Sequence, residues 1–252
     1  ARSSCAMIAC VVFDFDGTLV DSNRVKVQSF YEIVEDYDPS GRTVTEVLQR
    51  CSNEDRYGIT RALAREFIAK GLTSPQPGAE ILGAQWAETY TAACEKAIVR
   101  CPEVPGASTI LPWFSSEGIP LYLNSRTPTK ALNRLVTLRH LAQYFSGIYG
   151  APASKLENLC HIQELTQTNP DEMLFVGDSE DDREAAAEFG CHFAGVILGK
   201  NSRFRQIPSL HVTNLEELRE IVENLQEKRN VHFTDRRTPS RTVHRESFTL
   251  SQ

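Results

Sequence analysis

The chain has 252 residues, 41% apolar and 24% charged, so it can bury a sizeable core and reads as an ordinary globular protein. A formal net charge of −6 argues against a nucleic-acid or anionic-membrane surface as the main partner, and no apolar run reaches membrane-spanning length. Seven cysteines without a CxxC pair point to reduced thiols and a cytoplasmic setting rather than a disulfide framework or a zinc site. A small anionic substrate remains compatible with this balance, because a local cation outweighs a mildly negative whole. Nothing in the sequence specifies an oligomeric state.

In chain order, Ile8, Val11, Val12 and Phe13 form an apolar, β-branched run that reads as a buried strand. It carries an acid pair at its end and does not read as a cleaved signal peptide. Asp14 and Asp16 follow, then a Gly17-Thr18 turn. While the chain stays extended, the two carboxylates point to the same side. Two acids at the tip of a core strand are costly unless they hold a cation or do chemistry.

Val27, Phe30, Tyr31 and Val34 then recur at helical spacing until Asp38-Pro39-Ser40-Gly41 breaks the pattern. Between Thr43 and Cys101 only helical faces are visible, one marked by Ile59, Leu63 and Phe67 and another by Leu82, Trp86 and Tyr90. A helical block that interrupts a strand-helix chain predicts an inserted helical domain. Alternation resumes with strands expected at 119–123, 147–149, 173–176, 193–198 and 211–212, and with helices between and after them. Strands joined by helices imply an α/β fold with a parallel sheet covered on both faces. From Lys228 the pattern dissolves into a polar, basic-leaning tail that reads as disordered.

Ligands of a parallel sheet collect beyond the carboxyl ends of its strands. Four such ends carry polar groups: Asp14 with Asp16, Asn124 with Ser125, Lys155, and Asp178. Ser154 and Glu157 form a capping box that puts Lys155 at the first helical position, where the helix dipole opposes its charge. A lysine there is better placed facing an anion than facing water.

The string DFDGTLVDS from Asp14 to Ser22, Lys155 after the third strand, and the GDxxxD spacing of Asp178 and Asp182 together resemble the haloacid dehalogenase superfamily. The likeness is to its phosphatase branch, similar to phosphoglycolate phosphatases and β-phosphoglucomutases, and it covers roughly residues 8–225. It implies a Rossmann-like core of residues 1–21 and 106–227, a helical cap of residues 22–105, and a tail of residues 228–252. It also implies a Mg²⁺-dependent phosphomonoester hydrolase of a small phosphorylated metabolite. Asp14 is then the nucleophile, and Asp16 the acid and base for the leaving alcohol and the attacking water. Mg²⁺ is held by Asp14, the backbone carbonyl of Asp16 and Asp178, with Asp182 acting through water or from behind. Lys155 neutralises charge, and Thr18 and the turn amides help hold the transferring group. The hydroxyl or amide that contacts the phosphate is Asn124 or Ser125, since the order YLNSRTP departs from the family pattern. Arg24, Lys26, Arg56 and Tyr57 are candidate cap contacts, and Arg126 a candidate substrate contact. Two other readings stay open: a phosphosugar mutase of the same family, and a non-catalytic phospholigand-binding protein with this fold.

Overall fold

A computed structural model of the chain describes residues 8–51, 54–199 and 203–235. Strand β1 (Cys10–Phe13) is wholly buried and lies at the centre of a six-stranded sheet. Helices α1 (Asn23–Glu32), α2 (Arg42–Arg50), α3 (Arg56–Ala69) and α4 (Ala79–Ile98) follow, with no strand between them among the described residues. Then come α5 (Ala107–Ser116), β2 (Leu121–Pro128), α6 (Thr129–Leu138), β3 (Phe145–Ala151) and α7 (Lys155–Thr166). The chain continues through β4 (Met173–Gly177), α8 (Glu180–Phe189), β5 (His192–Val196), β6 (His211–Val212) and α9 (Leu218–Asp235).

The strand order is β3-β2-β1-β4-β5-β6, and every pairing is parallel. From β1 the chain builds outward through β2 and β3, then returns to the other side of β1 as β4. The crevice beyond the carboxyl ends of β1 and β4 is therefore the topological switch point, where a parallel sheet gathers its ligand. Alternation along β1 feeds two cores. Val11 and Phe13 pack with Ile110, Phe114, Leu218 and Val222 of α5 and α9. Cys10 and Val12 pack with Leu159, Ile162, Ala185 and Ala186 of α7 and α8. The sheet is thus covered on both faces by helices, as the strand-helix alternation predicts.

Helices α1 to α4 form the inserted cap. Its aromatic centre stacks Phe30 on Tyr90 with ring centres 4.0 Å apart and sets Phe67 edge-on to Trp86 at 5.3 Å. The two linkers to the core are zipped together: Asp21 N–H donates to the Pro102 carbonyl at 3.0 Å, and Val104 N–H to that of Leu19 at 2.9 Å. Arg139 Nη1 caps the end of α4 by donating to the carbonyls of Ile98 and Cys101, both at 2.8 Å. The Arg139 bonds satisfy carbonyls that the end of a helix leaves without intrahelical partners.

Three elements differ from the sequence expectation. The sequence expectation places no element between the helical block and the strand at 119–123, yet α5 forms there with Pro112 inside it, which removes one intrahelical hydrogen bond. Burial of Ile110, Leu111 and Phe114 offsets that loss. Strand β2 runs on to Pro128, past an irregularity in its pairing with β3 after Asn124. Helix α9 continues to Asp235, so residues 228–235, expected in a disordered tail, are helical. The rest of that expected tail, residues 236–252, lies outside the described residues. Among the described residues no helix is long and apolar enough to cross a membrane.

Candidate active site

Three strand ends and one helix start converge on a cavity of about 690 Å³ between the sheet's carboxyl edge and the cap. Its floor includes Asp14, Asp16, Ser125, Lys155 and Asp178. Asp14 is held at the end of β1 by its own N–H, which donates to the Val176 carbonyl of β4 at 2.8 Å. The turn behind it needs Gly17, whose φ of +79° is left-handed and whose missing Cβ leaves room for the Asp178 carboxylate.

Lys155 is the first residue of α7, and its capping box with Ser154 and Glu157 forms as the sequence predicts. Its buried ammonium lies 3.1 Å from Asp14 Oδ1 and pairs closely with Asp182 Oδ1. Burial works against the lysine's charge, but Asp14 and Asp182 more than reverse that and raise its pKa above the ordinary range. Burial pushes the Asp14 carboxyl up to about 8; Lys155 opposes the shift, while Asp182, Asp178 and Asp16 add to it. Asp178 is also raised by burial, against the pull of Arg203.

Asp16 is different. Burial alone would raise its carboxyl, yet Lys26 and hydrogen bonds from Lys26, Ser22 and Thr127 hold it below the usual carboxylate range. Lys26 Nζ and Thr127 Oγ1 donate to Oδ2 at 2.8 and 2.9 Å, and Ser22 Oγ donates to Oδ1 at 2.7 Å.

The acids Asp14, Asp178 and Asp182 each offer an oxygen within 4.8 Å of the others. Their donor sets are unequal. Asp182 Oδ1 is taken by Lys155, and Oδ2 accepts from the N–H and hydroxyl of Ser179. Asp178 Oδ2 accepts from Asn23 at 2.6 Å and Arg203 at 2.9 Å, but its Oδ1 is buried with no partner. An orphaned carboxylate oxygen beside a carboxyl destabilised by negative neighbours is the environment a hard divalent cation relieves. The residues fit such an ion, with Asp14 and Asp178 as its carboxylates and Asp182 as the anchor of Lys155. The Asp16 carboxylate stands outside this acidic cluster.

Two expected phosphate contacts do not reach the cavity. Asn124 is fully buried, donates to the Lys155 carbonyl at 2.8 Å and accepts from Asn158 at 3.0 Å, so its amide ties β2 to α7. Strand alternation turns the next residue, Ser125, to the cavity instead. Its Oγ accepts from Thr127 N–H at 3.1 Å, which leaves its own proton free to donate. Thr18 is also fully buried, its hydroxyl without a partner, and it does not line the cavity. Of the candidate cap and substrate contacts, Arg24, Lys26, Arg56 and Arg126 line the cavity; Tyr57 is exposed and does not. Sequence reading missed Thr127, Asn23 and Arg203. The first two stand beside recognised motifs, at the end of β2 and directly after DS. Arg203 carries no local signal, since it lies in the loop after β5 and reaches Asp178 only through the fold.

The haloacid dehalogenase-like hydrolase family model matches residues 11–196. Phosphoglycolate phosphatase 1 of Pseudomonas aeruginosa is 28% identical over 216 residues, covering 82% of this chain and 77% of the relative. Phosphoglycolate phosphatase of Escherichia coli K12 is 27% identical over 209 residues, 76% of this chain and 82% of the relative. Among solved structures, β-phosphoglucomutase of Clostridium difficile superposes with a TM-score of 0.64 at 19% identity, covering 90% of this chain and 100% of that one. A predicted phosphoglycolate phosphatase of Haemophilus somnus gives 0.69 at 18% identity, covering 88% and 99%. With the family match running from β1 through β5 and the acidic motifs meeting at the switch point, the chain belongs to the haloacid dehalogenase-like hydrolases.

Proposed function

We propose that the chain is a Mg²⁺-dependent phosphatase that hydrolyses a small phosphorylated metabolite through an aspartyl-phosphate on Asp14. The observation that carries this reading is the placement of Lys155 Nζ 3.1 Å from Asp14 Oδ1 at the cavity floor, with the partnerless Oδ1 of Asp178 in the same acidic cluster. The curated relatives named above as phosphoglycolate phosphatases support the same reaction class.

A carboxylate meeting a phosphate dianion is repelled by about 4 kcal/mol per charge pair at 4 Å and an effective dielectric of 20. Mg²⁺ on Asp14, Asp178 and the Asp16 carbonyl would supply the positive charge that cancels this repulsion. Lys155 supplies a second cation at the attacking oxygen, fixed from behind by Asp182. Asp14 Oδ attacks phosphorus while the P–O bond to the alcohol breaks, and the departing oxygen takes a proton from the Asp16 carboxyl. Water then attacks the acyl phosphate as Asp16 recovers a proton from it, releasing phosphate and regenerating Asp14. Ser125 Oγ donates to a phosphoryl oxygen. Lys26 holds the Asp16 carboxyl below the usual carboxylate range, so its proton-donating form is the minor one at neutral pH.

The test is a screen of phosphorylated metabolites with and without Mg²⁺, with Asp14→Asn as the blank. Phosphate release that needs both Mg²⁺ and the Asp14 carboxylate upholds the reading. Isomerisation of a sugar phosphate without net release would make the protein a mutase, and undiminished release by Asp14→Asn would end the scheme.

A further inference from the structure

Asp178 uses its two carboxylate oxygens unequally. Oδ2 accepts from Asn23 Nδ2 at 2.6 Å and from Arg203 Nη1 at 2.9 Å, while Oδ1 is buried and has no partner. A carboxylate left to itself shares its donors between both oxygens, because a buried oxygen without a donor is costly. The two donors reach Oδ2 from separate elements. Asn23 is the first residue of α1, at the entry to the cap, and Arg203 lies in the loop after β5. Arg203 Nη1 also donates to Asn23 Oδ1 at 3.1 Å, so guanidinium, amide and Oδ2 close a ring.

The backbone of Arg203 is fixed as well. It forms a parallel β-bridge with Ser179, directly after Asp178. The next residue, Phe204, is buried edge-on against Phe193 of β5, with ring centres 5.9 Å apart. A surface ion pair by itself contributes little, and the Arg203 side chain is 54% exposed. What marks this pair is that Arg203 and Asn23 converge on one oxygen of a buried carboxylate.

Which oxygen is taken decides what Asp178 offers a cation. Ca²⁺ takes more oxygens than Mg²⁺, at longer and more variable distances, and accepts both oxygens of one carboxylate. Mg²⁺ demands a tight octahedron and keeps several waters, so single carboxylate oxygens serve it. To give both oxygens, Asp178 has to surrender the Asn23 and Arg203 bonds, one of them charge-assisted. Giving Oδ1 alone costs neither.

We infer that Arg203 and Asn23 are positioning residues of the candidate metal centre: by holding Asp178 Oδ2 they confine Asp178 to one ligand oxygen, and so bias the site toward Mg²⁺ and against Ca²⁺. The inference rests on the reading of Asp14 and Asp178 as metal ligands, not on the phosphoryl-transfer steps.

The experiment titrates Mg²⁺ and Ca²⁺ separately, by calorimetry and without substrate, into chelator-treated wild type, Arg203→Met, Arg203→Lys, Asn23→Ala and Asn23→Ala/Arg203→Met. The readout is the ratio of the Ca²⁺ Kd to the Mg²⁺ Kd. Loss of the arginine charge favours both divalent ions, and local loosening disfavours both, so the ratio isolates the freed oxygen. It is expected to fall about 10-fold or more in the double variant, the size of effect that groups behind metal ligands have. Each single variant should show less, because one donor still holds Oδ2. Arg203→Lys, which keeps a charged donor, should stay nearer the wild type than Arg203→Met. Thermal melts without metal check folding first; if the double variant is unfolded, the exposed Arg203→Met decides, by a fall in the ratio that Arg203→Lys restores. An unchanged ratio with both ions still bound overturns the inference and leaves the metal reading standing. Loss of both ions together in the variants also overturns it, since the pair then holds the site together without choosing its ion. A wild type that binds neither ion ends the metal reading and the inference with it.

Discussion

Lys26 Nζ stands 2.8 Å from Asp16 Oδ2, so a cap residue holds the carboxylate proposed as the acid for the leaving group. The pair crosses the boundary between the first cap helix and the turn after β1, and it is the main reason the Asp16 carboxyl lies below the usual range. A depressed pKa means that the protonated, donating form is scarce and is lost as pH rises. Lys26→Met removes the favourable charge and leaves burial, which raises the carboxyl. The expected outcome is that the decline of kcat/KM with rising pH moves to higher pH in Lys26→Met than in the wild type. A pH-rate profile of both proteins on one ester checks this, and superimposable profiles would show that Lys26 does not set the protonation of Asp16.

The unpaired Asp178 Oδ1 predicts a stability effect of metal as well as an effect on rate. Binding to the folded state alone stabilises it by about 2.7 kcal/mol at a hundredfold excess over Kd. Adding Mg²⁺ to the chelator-treated protein should therefore raise its melting temperature and restore phosphate release. Asp178→Asn should lose both responses, because an amide oxygen is a poorer ligand and the acidic cluster that attracts the cation is diluted. Thermal melts with and without Mg²⁺ separate this from a general salt effect, which both proteins would share.

What was legible beforehand follows the range of each signal. Asp14, Asp16 and Gly17 sit in one unbroken string, and Lys155 lies inside a capping box whose chemistry is local, so both could be read without coordinates. The strands were legible as apolar runs, while their ends were not: whether Asn124 or Ser125 faces the cavity depends on strand alternation, and one residue of register reverses the answer. Helix α5 went unread: Pro112 breaks the helical pattern, and only the fold shows that burial of Ile110, Leu111 and Phe114 offsets the missing hydrogen bond. Arg203 on Asp178 and Arg56 on Thr127 join residues far apart in the chain through neutral or generic surface residue types. No spacing rule reports such pairs.

Gly17 and Gly71 make a matched test of what the turn does for the site. Both have left-handed φ, +79° and +69°. An added Cβ at Gly71 meets nothing within 4 Å, whereas at Gly17 it would collide with Asn23 and the Asp178 carboxylate. Replacing either by alanine should cost about 1–2 kcal/mol in backbone strain. Only Gly17→Ala should also displace Asp178, weakening Mg²⁺ binding and phosphate release by an order of magnitude or more. Titrating Mg²⁺ against both variants by calorimetry distinguishes strain from displacement.

Asp182 does not line the cavity, yet it is predicted to matter for stability as much as for rate. It is fully buried, pairs with Lys155 and accepts the Ser179 N–H at 3.1 Å. Asp182→Ala leaves the buried ammonium with Asp14 at 3.1 Å and the more exposed Asp181 at 4.0 Å, and an amide without its acceptor. Breaking one side of a buried pair costs about 3–5 kcal/mol, which for a chain of this size lowers the melting temperature by roughly 6–20 °C. Lys155→Met in the Asp182→Ala background removes the stranded charge and should return part of that stability while abolishing phosphate release. If the double variant instead melts at the sum of the two single losses, Asp182 does not act through Lys155, and the anchor assigned to it here would have to be sought in the Ser179 turn alone.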